Sequence, residues 1–279
     1  MSTKKKLYTC LHCLKELEGL LACTRCRTAR YCGRECQLKH WPVHKNKCVD
    51  SNSDDSNDKL EKKASNHFDQ GNFIKAEQLY TKLLKNLNKT KEGDGNETHT
   101  IDTIKTMNRL ADTYNIQGRQ RDAEKLFRET IEKCQKLLGK SDPWTLLATK
   151  NLAHTLDALG RYDEAVSLFH NCLKMMNSDD MAALDVQGYL ATCYTNQNKL
   201  DLAVVQFLEI LEKHRIIFGE SHDSTHVVRN NLAGVFLRMG EYERAEELLK
   251  TSLRIMKDTI GDTHPNYLST ASRLGGEAK

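Results

Sequence analysis

Eight thiol and imidazole side chains crowd the first fifty residues of this chain: Cys10, Cys13, Cys23, Cys26, Cys32, Cys36, His44 and Cys48. Two residues separate the members of Cys10/Cys13 and Cys23/Cys26, the interval at which one tight turn places two thiolates on one ion. Cys32/Cys36 and His44/Cys48 stand in the i, i+4 relation, which puts both side chains on one face of a helix. Ligands of this softness suit Zn²⁺, and eight of them complete two tetrahedral sites with no open position. Zinc enclosed in that way builds structure rather than attacking a substrate. His12 and His40 are the competing imidazoles. His12 lies inside a C-x2-C turn and reads as a solvated side chain, and His40 lacks the helical spacing to Cys48.

Little else in this segment could fold it. Its large apolar residues are few, chiefly Leu7, Leu11, Leu14, Leu17, Leu20, Leu21, Tyr31, Leu38 and Trp41, and fifty residues with so small a core need a staple. A structural zinc supplies about 10–16 kcal/mol per site. The remaining cysteines of the ten, Cys134, Cys172 and Cys193, are scattered and read as small buried hydrophobes in helices. In a reducing compartment a dense cluster binds metal rather than pairing as disulfides. Residues 1–50 carry 11 Lys/Arg against 4 Asp/Glu. Seven zinc-bound thiolates and two Zn²⁺ ions reduce that formal +7 to about +4, a mildly basic module rather than a phosphate-binding stripe.

The order of ligands resembles the MYND zinc finger, whose spacings match at every interval from Cys23 to Cys48, and whose YC-xx-CQ-xxx-W-xx-H-xxx-C string matches residues 31–48. Spacing alone permits sequential or interleaved sites. The resemblance implies interleaving: Cys10, Cys13, Cys32 and Cys36 on one zinc, with Cys23, Cys26, His44 and Cys48 on the other. It also implies that Gln37 and Trp41, four residues apart, help bind proline-rich PxLxP-type peptides. The alternative for Trp41 is to pack against the zinc core.

Residues 51–57, SNSDDSN, form a polar linker. Beyond it the chain repeats itself: GNFIKAEQLY from Gly71, GRQRDAEKLF from Gly118, GRYDEAVSLF from Gly160, NKLDLAVVQF from Asn198 and GEYERAEELL from Gly240. Five residues after each start stands an alanine, from Ala76 to Ala245. Four further on stands Tyr80, Phe127, Phe169, Phe207 or Leu249. Before four of these turns stands a Leu-Ala pair, namely Leu110-Ala111, Leu152-Ala153, Leu190-Ala191 and Leu232-Ala233. Small residues let two helices approach and large ones fill the space between them. The first copy departs from the pattern, with Lys63 in place of leucine and a long loop, NKTKEGDGNET.

This pattern resembles the tetratricopeptide repeat (TPR). The Leu138-Gly139 and Phe218-Gly219 endings, with Pro143 and Pro265 in equivalent register, resemble its kinesin-light-chain variety. The expected architecture is mostly α: a finger over 1–50, the linker, and an α-solenoid of about five helix pairs plus a terminal helix over 58–279. Such solenoids act by binding other proteins. The resemblance places Arg109, Asn151, Tyr189 and Asn231 on the groove side, with Asn151 and Asn231 as candidate holders of a ligand's backbone. Lys105 and Arg109 match half of a carboxylate clamp, and its other half is missing.

The expected function is a zinc-binding adaptor for protein–protein contacts. A SET-and-MYND lysine methyltransferase would need a β-rich catalytic domain beside the finger. Nine residues precede Cys10 and the repeats begin soon after Cys48, which leaves no span for it. No phosphate-binding glycine loop, nucleophile elbow or HExxH occurs, so catalysis is not expected. Direct nucleic-acid binding is disfavoured for want of a basic recognition helix. No 18-residue apolar run and no apolar segment before Cys10 occur, so an intracellular chain, nuclear or cytoplasmic, is expected, and the sequons at Asn88 and Asn96 carry no weight.

Overall fold

The structure is a computed structural model, and it describes residues 8–17, 20–23, 29–45, 57–89, 97–177 and 180–275. Its residues divide into two compact units, 1–118 and 119–279.

In the first unit, two short antiparallel hairpins open the chain. The first pairs β1 (Tyr8–Thr9) with β2 (Glu16–Leu17), and the second pairs β3 (Leu21–Ala22) with β4 (Arg30–Tyr31). Helix α1 (Arg34–His44) follows directly. The core beneath them is small: Cys10, Leu20, Cys23, Ala29 and Tyr31, with Cys36 packed alongside. Backbone bonds tie the two hairpins together, with Leu11 N–H donating to Arg30 O at 3.0 Å. Helices α2 (Asn57–Asp69), α3 (Phe73–Lys89) and α4 (Glu97–Ile116) complete the unit. The irregular first repeat does form a helix pair, because its decisive positions are intact: Ala64, Ala76 and Tyr80 are all buried. Lys63 sits on the exposed side of α2, so the lost leucine is no obstacle. Residues 51–56 of the expected linker and 90–96 of the long loop lie outside the described residues.

The second unit is helical throughout its described residues: α5 (Gln120–Leu137), α6 (Pro143–Ala158), α7 (Tyr162–Met175), α8 (Met181–Asn196), α9 (Leu200–Phe218), α10 (Asp223–Met239), α11 (Tyr242–Thr259) and α12 (Pro265–Gly275). Each helix packs on the next in chain order, as stacked helix pairs require. All four alanines of the Leu-Ala pairs and all five post-turn alanines are fully buried, and so are the aromatic or leucine positions that follow. A continuous core runs through α8 to α11, including Phe207, Leu232, Phe236 and Leu249, and reaches Leu274 of α12.

The turns explain why glycine recurs. Gly71, Gly118, Gly160 and Gly240 have φ of 76°, 77°, 74° and 79°, the left-handed region in which a Cβ is strained. Asn198 takes the same place at φ 61°, as asparagine can. The next residue's N–H then closes the helix end: Arg161 donates to Leu156 O, Lys199 to Tyr194 O and Glu241 to Phe236 O, each at 2.9 Å. The longer turns close differently. Gly139 and Gly219 are also left-handed, and their carbonyls accept the hydroxyls of buried Thr145 and Thr225 at 2.7 and 2.8 Å. Asp142 then caps α6, its carboxylate accepting the Trp144 N–H at 2.8 Å with Pro143 at the first helical position.

Candidate metal centre and binding clefts

The first hairpin and the start of α1 bring four sulfurs together. The Sγ atoms of Cys10, Cys13, Cys32 and Cys36 all lie within 4.8 Å of one another. Cys32 Sγ is 3.5 Å from Cys13 Sγ and 3.4 Å from Cys36 Sγ. Four thiolates around zinc at about 2.3 Å would stand about 3.8 Å apart, so the donor set fits a tetrahedral ion. Backbone polarity assists. The Cys13 amide, followed by those of Cys32 and His12, pulls the Cys10 thiol down to about 6, although burial works against it. Hydrogen bonds to the Cys36 and Cys13 sulfurs push the Cys32 thiol up to about 12. A zinc ion there would hold all four as thiolates and cross-link the hairpin to the helix.

The other expected ligand set is only half within the described residues. Cys23 and His44 are both buried, and Cys26 and Cys48 lie outside the described residues. His44 ends α1 with its ring edge-on to Tyr31 and to Trp41, at centroid distances of 6.1 and 5.8 Å. Burial, and then the charge of His40, holds its pKa below the usual imidazole range, which keeps the ring neutral as a metal ligand must be. His40 is otherwise engaged, with its Nδ1 3.0 Å from the Tyr31 hydroxyl. His12 is exposed. The Trp41 ring packs on His44, and the residue keeps 37% of its surface exposed. Leu38 and Val43 on the same helix are exposed as well, and Gln37 is half-buried.

The groove candidates divide. Tyr189 and Asn231 line one cleft of about 420 Å³ between α8 and α10, floored by Phe207 and Ile210 of α9. Asn151, half-buried on α6, does not line that cleft. Beside it Lys150 pairs with Asp185 of α8 at 2.7 Å and lies over the Tyr189 ring. In the first unit Arg109 lies over the Phe68 ring, 5.8 Å from its centroid. Cys134, Cys172 and Cys193 are buried, and burial raises all three thiols, to about 11, 11 and 12, as inert packing residues. A second cleft, of about 210 Å³ between α10 and α12, went unnoticed in the sequence. Its residues Asp223, His226, Asn230 and Arg273 carry no motif, and α12 lies some forty residues from its partner helix. The available signal was His226 and Asn230, two polar residues four apart on a helix of known register.

The tetratricopeptide repeat model matches residues 102–178, 180–258 and 224–276, more than half of the chain. The chain belongs to the tetratricopeptide repeat family. The MYND finger model matches residues 10–48 of this repeat protein. Its fold is similar to that of a kinesin-light-chain-type protein of Podosopora anserina with nearly identical TPR-like repeats (TM-score 0.60, 21% identity, covering 72% of this chain and 94% of that one). It is also similar to BtubC (BKLC) from P. vanneervenii (TM-score 0.61, 23% identity, 73% and 82%). A further similar fold is the Rap conjugation gene regulator of plasmid pLS20 in complex with the Phr* peptide (TM-score 0.60, 15% identity, 76% and 56%). Among curated proteins, the finger resembles human histone-lysine N-methyltransferase SMYD3 and human N-lysine methyltransferase SMYD2, each 49% identical over 39 residues. That match covers 14% of this repeat protein and 9% of either relative, so the likeness is confined to the finger. No described helix is long and apolar enough to cross a membrane.

Proposed function

We propose that this protein is a non-catalytic intracellular adaptor with two zinc ions, a finger over 1–50, a linker over 51–57 and a peptide-binding solenoid over 58–279. The observation that carries the reading is the four-sulfur cluster of Cys10, Cys13, Cys32 and Cys36, which leaves an ion no open position for a substrate. A metal so enclosed shapes a surface. The second ion would take Cys23, Cys26, His44 and Cys48.

The finger's surface is the exposed stretch of α1, where Trp41 offers an apolar wall to a proline ring and Gln37 a hydrogen bond to extended backbone. Such a small contact gives affinities of roughly micromolar or weaker. The solenoid's surface is the groove marked by Asn151, Tyr189 and Asn231, where the α8–α10 cleft is of a size to seat an apolar side chain. A similar fold that holds a Phr* peptide supports a peptide as the ligand. The methyltransferase reading gains nothing from relatives matched only in the finger.

The test is a capture experiment on the full chain with two variants. Trp41→Ala should retain zinc and lose proline-rich partners, while Asn151→Ala with Asn231→Ala should retain helicity and lose groove partners. Unchanged capture by both variants, with zinc and helicity intact, would remove both proposed surfaces.

A further inference from the structure

The cleft between α10 and α12 holds a buried donor and a buried acceptor that nothing in the described structure satisfies. His226 is 2% exposed, and its Nδ1 lies 3.2 Å from Arg229 Nη1. A guanidinium nitrogen can only donate, so Nδ1 accepts and the imidazole proton resides on Nε2. That Nε2–H has no partner. Four residues on, Asn230 spends its amide N–H on the Thr270 hydroxyl at 2.7 Å, and its Oδ1 is left without a donor. The two residues share one face of α10 and line the same cleft. Buried polar groups are nearly always satisfied, by protein or by ordered water, and two unmet ones of opposite kind in one cavity call for a partner that both accepts and donates.

The charges narrow its chemistry. Asp223 and Arg273 also line the cleft, a carboxylate and a guanidinium whose charges cancel. Arg273 holds its place by donating from Nη1 to the Asn230 backbone carbonyl at 2.6 Å, and its other N–H groups remain available as donors. A carboxylate ligand would meet Asp223 and the Asn230 carbonyl oxygen, and an ammonium would meet Arg273 and the His226 N–H. A neutral group that accepts once and donates twice matches the site. Beside it lies the α8–α10 cleft, which shares Val227 and Asn231 as a common wall and is mainly apolar, with Met181, Leu184, Phe207 and Ile210 alongside the polar Asp185, Thr192, His214 and Ser224.

We propose that the α10–α12 cleft binds a primary carboxamide, the side chain of an Asn or Gln in an extended peptide whose neighbouring apolar side chain fills the α8–α10 cleft. The carboxamide oxygen accepts from His226 Nε2–H, and its two N–H groups donate to Asn230 Oδ1 and the Asp223 carboxylate. This rests on the groove-side reading of the solenoid given above.

The experiment selects phage-displayed random peptides on the full chain. Enriched peptides are then measured by fluorescence polarisation against the wild type, Val227→Arg and Asp223→Asn. Val227 is half exposed, and Asp223 is the first residue of α10, so neither change attacks the core. Peptides that lose binding to Val227→Arg should share an apolar residue near an Asn or Gln. Converting that Asn or Gln to Asp or Glu should weaken binding about tenfold or more, because a charged oxygen replaces a donor beside Asp223. Asp223→Asn should narrow that gap. If groove-dependent peptides show no such residue, or tolerate the conversion, the carboxamide site is wrong and the groove stands. If no enriched peptide responds to Val227→Arg, the groove reading fails and the site with it.

Discussion

Chelating the metal should unfold residues 8–45 while the helix pairs stay folded. Among the described residues of the finger, the large buried apolar side chains are Leu20 and Tyr31, and full burial of each contributes about 1.5–3 kcal/mol. A structural zinc contributes about 10–16 kcal/mol, several times as much, so its loss cannot be absorbed. Far-UV dichroism is the wrong assay, because α1 has only 11 of the 279 residues, about 4%. Trp41 is a local reporter: its ring stands 5.8 Å from that of His44, at the end of α1. The chain's other tryptophan, Trp144, begins α6 in the second unit and can be removed as Trp144→Phe. In that background, EDTA should shift Trp41 emission to the red and collapse the finger's amide resonances, with dichroism nearly unchanged. Metal analysis before chelation should give two zinc ions per chain, and Cys13→Ser should lower the count by one. Unchanged emission and amide spectra in protein shown to contain no zinc would refute metal-dependent folding.

Phe169→Ala empties a fully buried position between helix pairs and should cost about 3–5 kcal/mol, read by denaturant titration of the full chain; under 1 kcal/mol would contradict tight packing there. Gly160→Ala meets no atom within 4 Å, so its cost should come from φ 74° alone, about 1–2 kcal/mol, and thermal melting should detect it. His214 and His226 are buried, and burial is the main cause holding both imidazoles below their usual 6.5. They are neutral when folded and take up protons on unfolding, so their stabilisation is complete above pH 6.5 and declines as pH falls below it. Melting of the wild type should therefore drop between about pH 7.5 and 5.5, and His226→Gln should flatten part of that slope.

The local periods of the chain carried most of the repeat architecture. A turn residue, an alanine five later and a large apolar side chain four beyond that describe one helix end and one packed face, and the alanine and the large side chain of every copy are buried. Asn198 was legible as the counterpart of the turn glycines, and the structure gives it their left-handed backbone. The ligand intervals were equally local: two-residue turns and an i, i+4 pair determine which sulfurs are able to share an ion. The choice between sequential and interleaved sites was not local. That depends on the hairpin of Cys10 and Cys13 meeting the turn of Cys32 and the start of α1, and the tertiary structure places those four sulfurs together. Trp41 shows the same division. Its spacing put it on one face of α1 with Gln37, but only the packing of His44 beneath it settled how much of the ring stays exposed. The α10–α12 cleft lies furthest from the sequence. A helical period places His226 beside Asn230, yet whether their polar atoms are satisfied depends on Arg229, Thr270 and Arg273, which arrive from other turns and another helix. Periodicity encodes which residues share a face, whereas unmet hydrogen bonds arise only when distant faces close over one another.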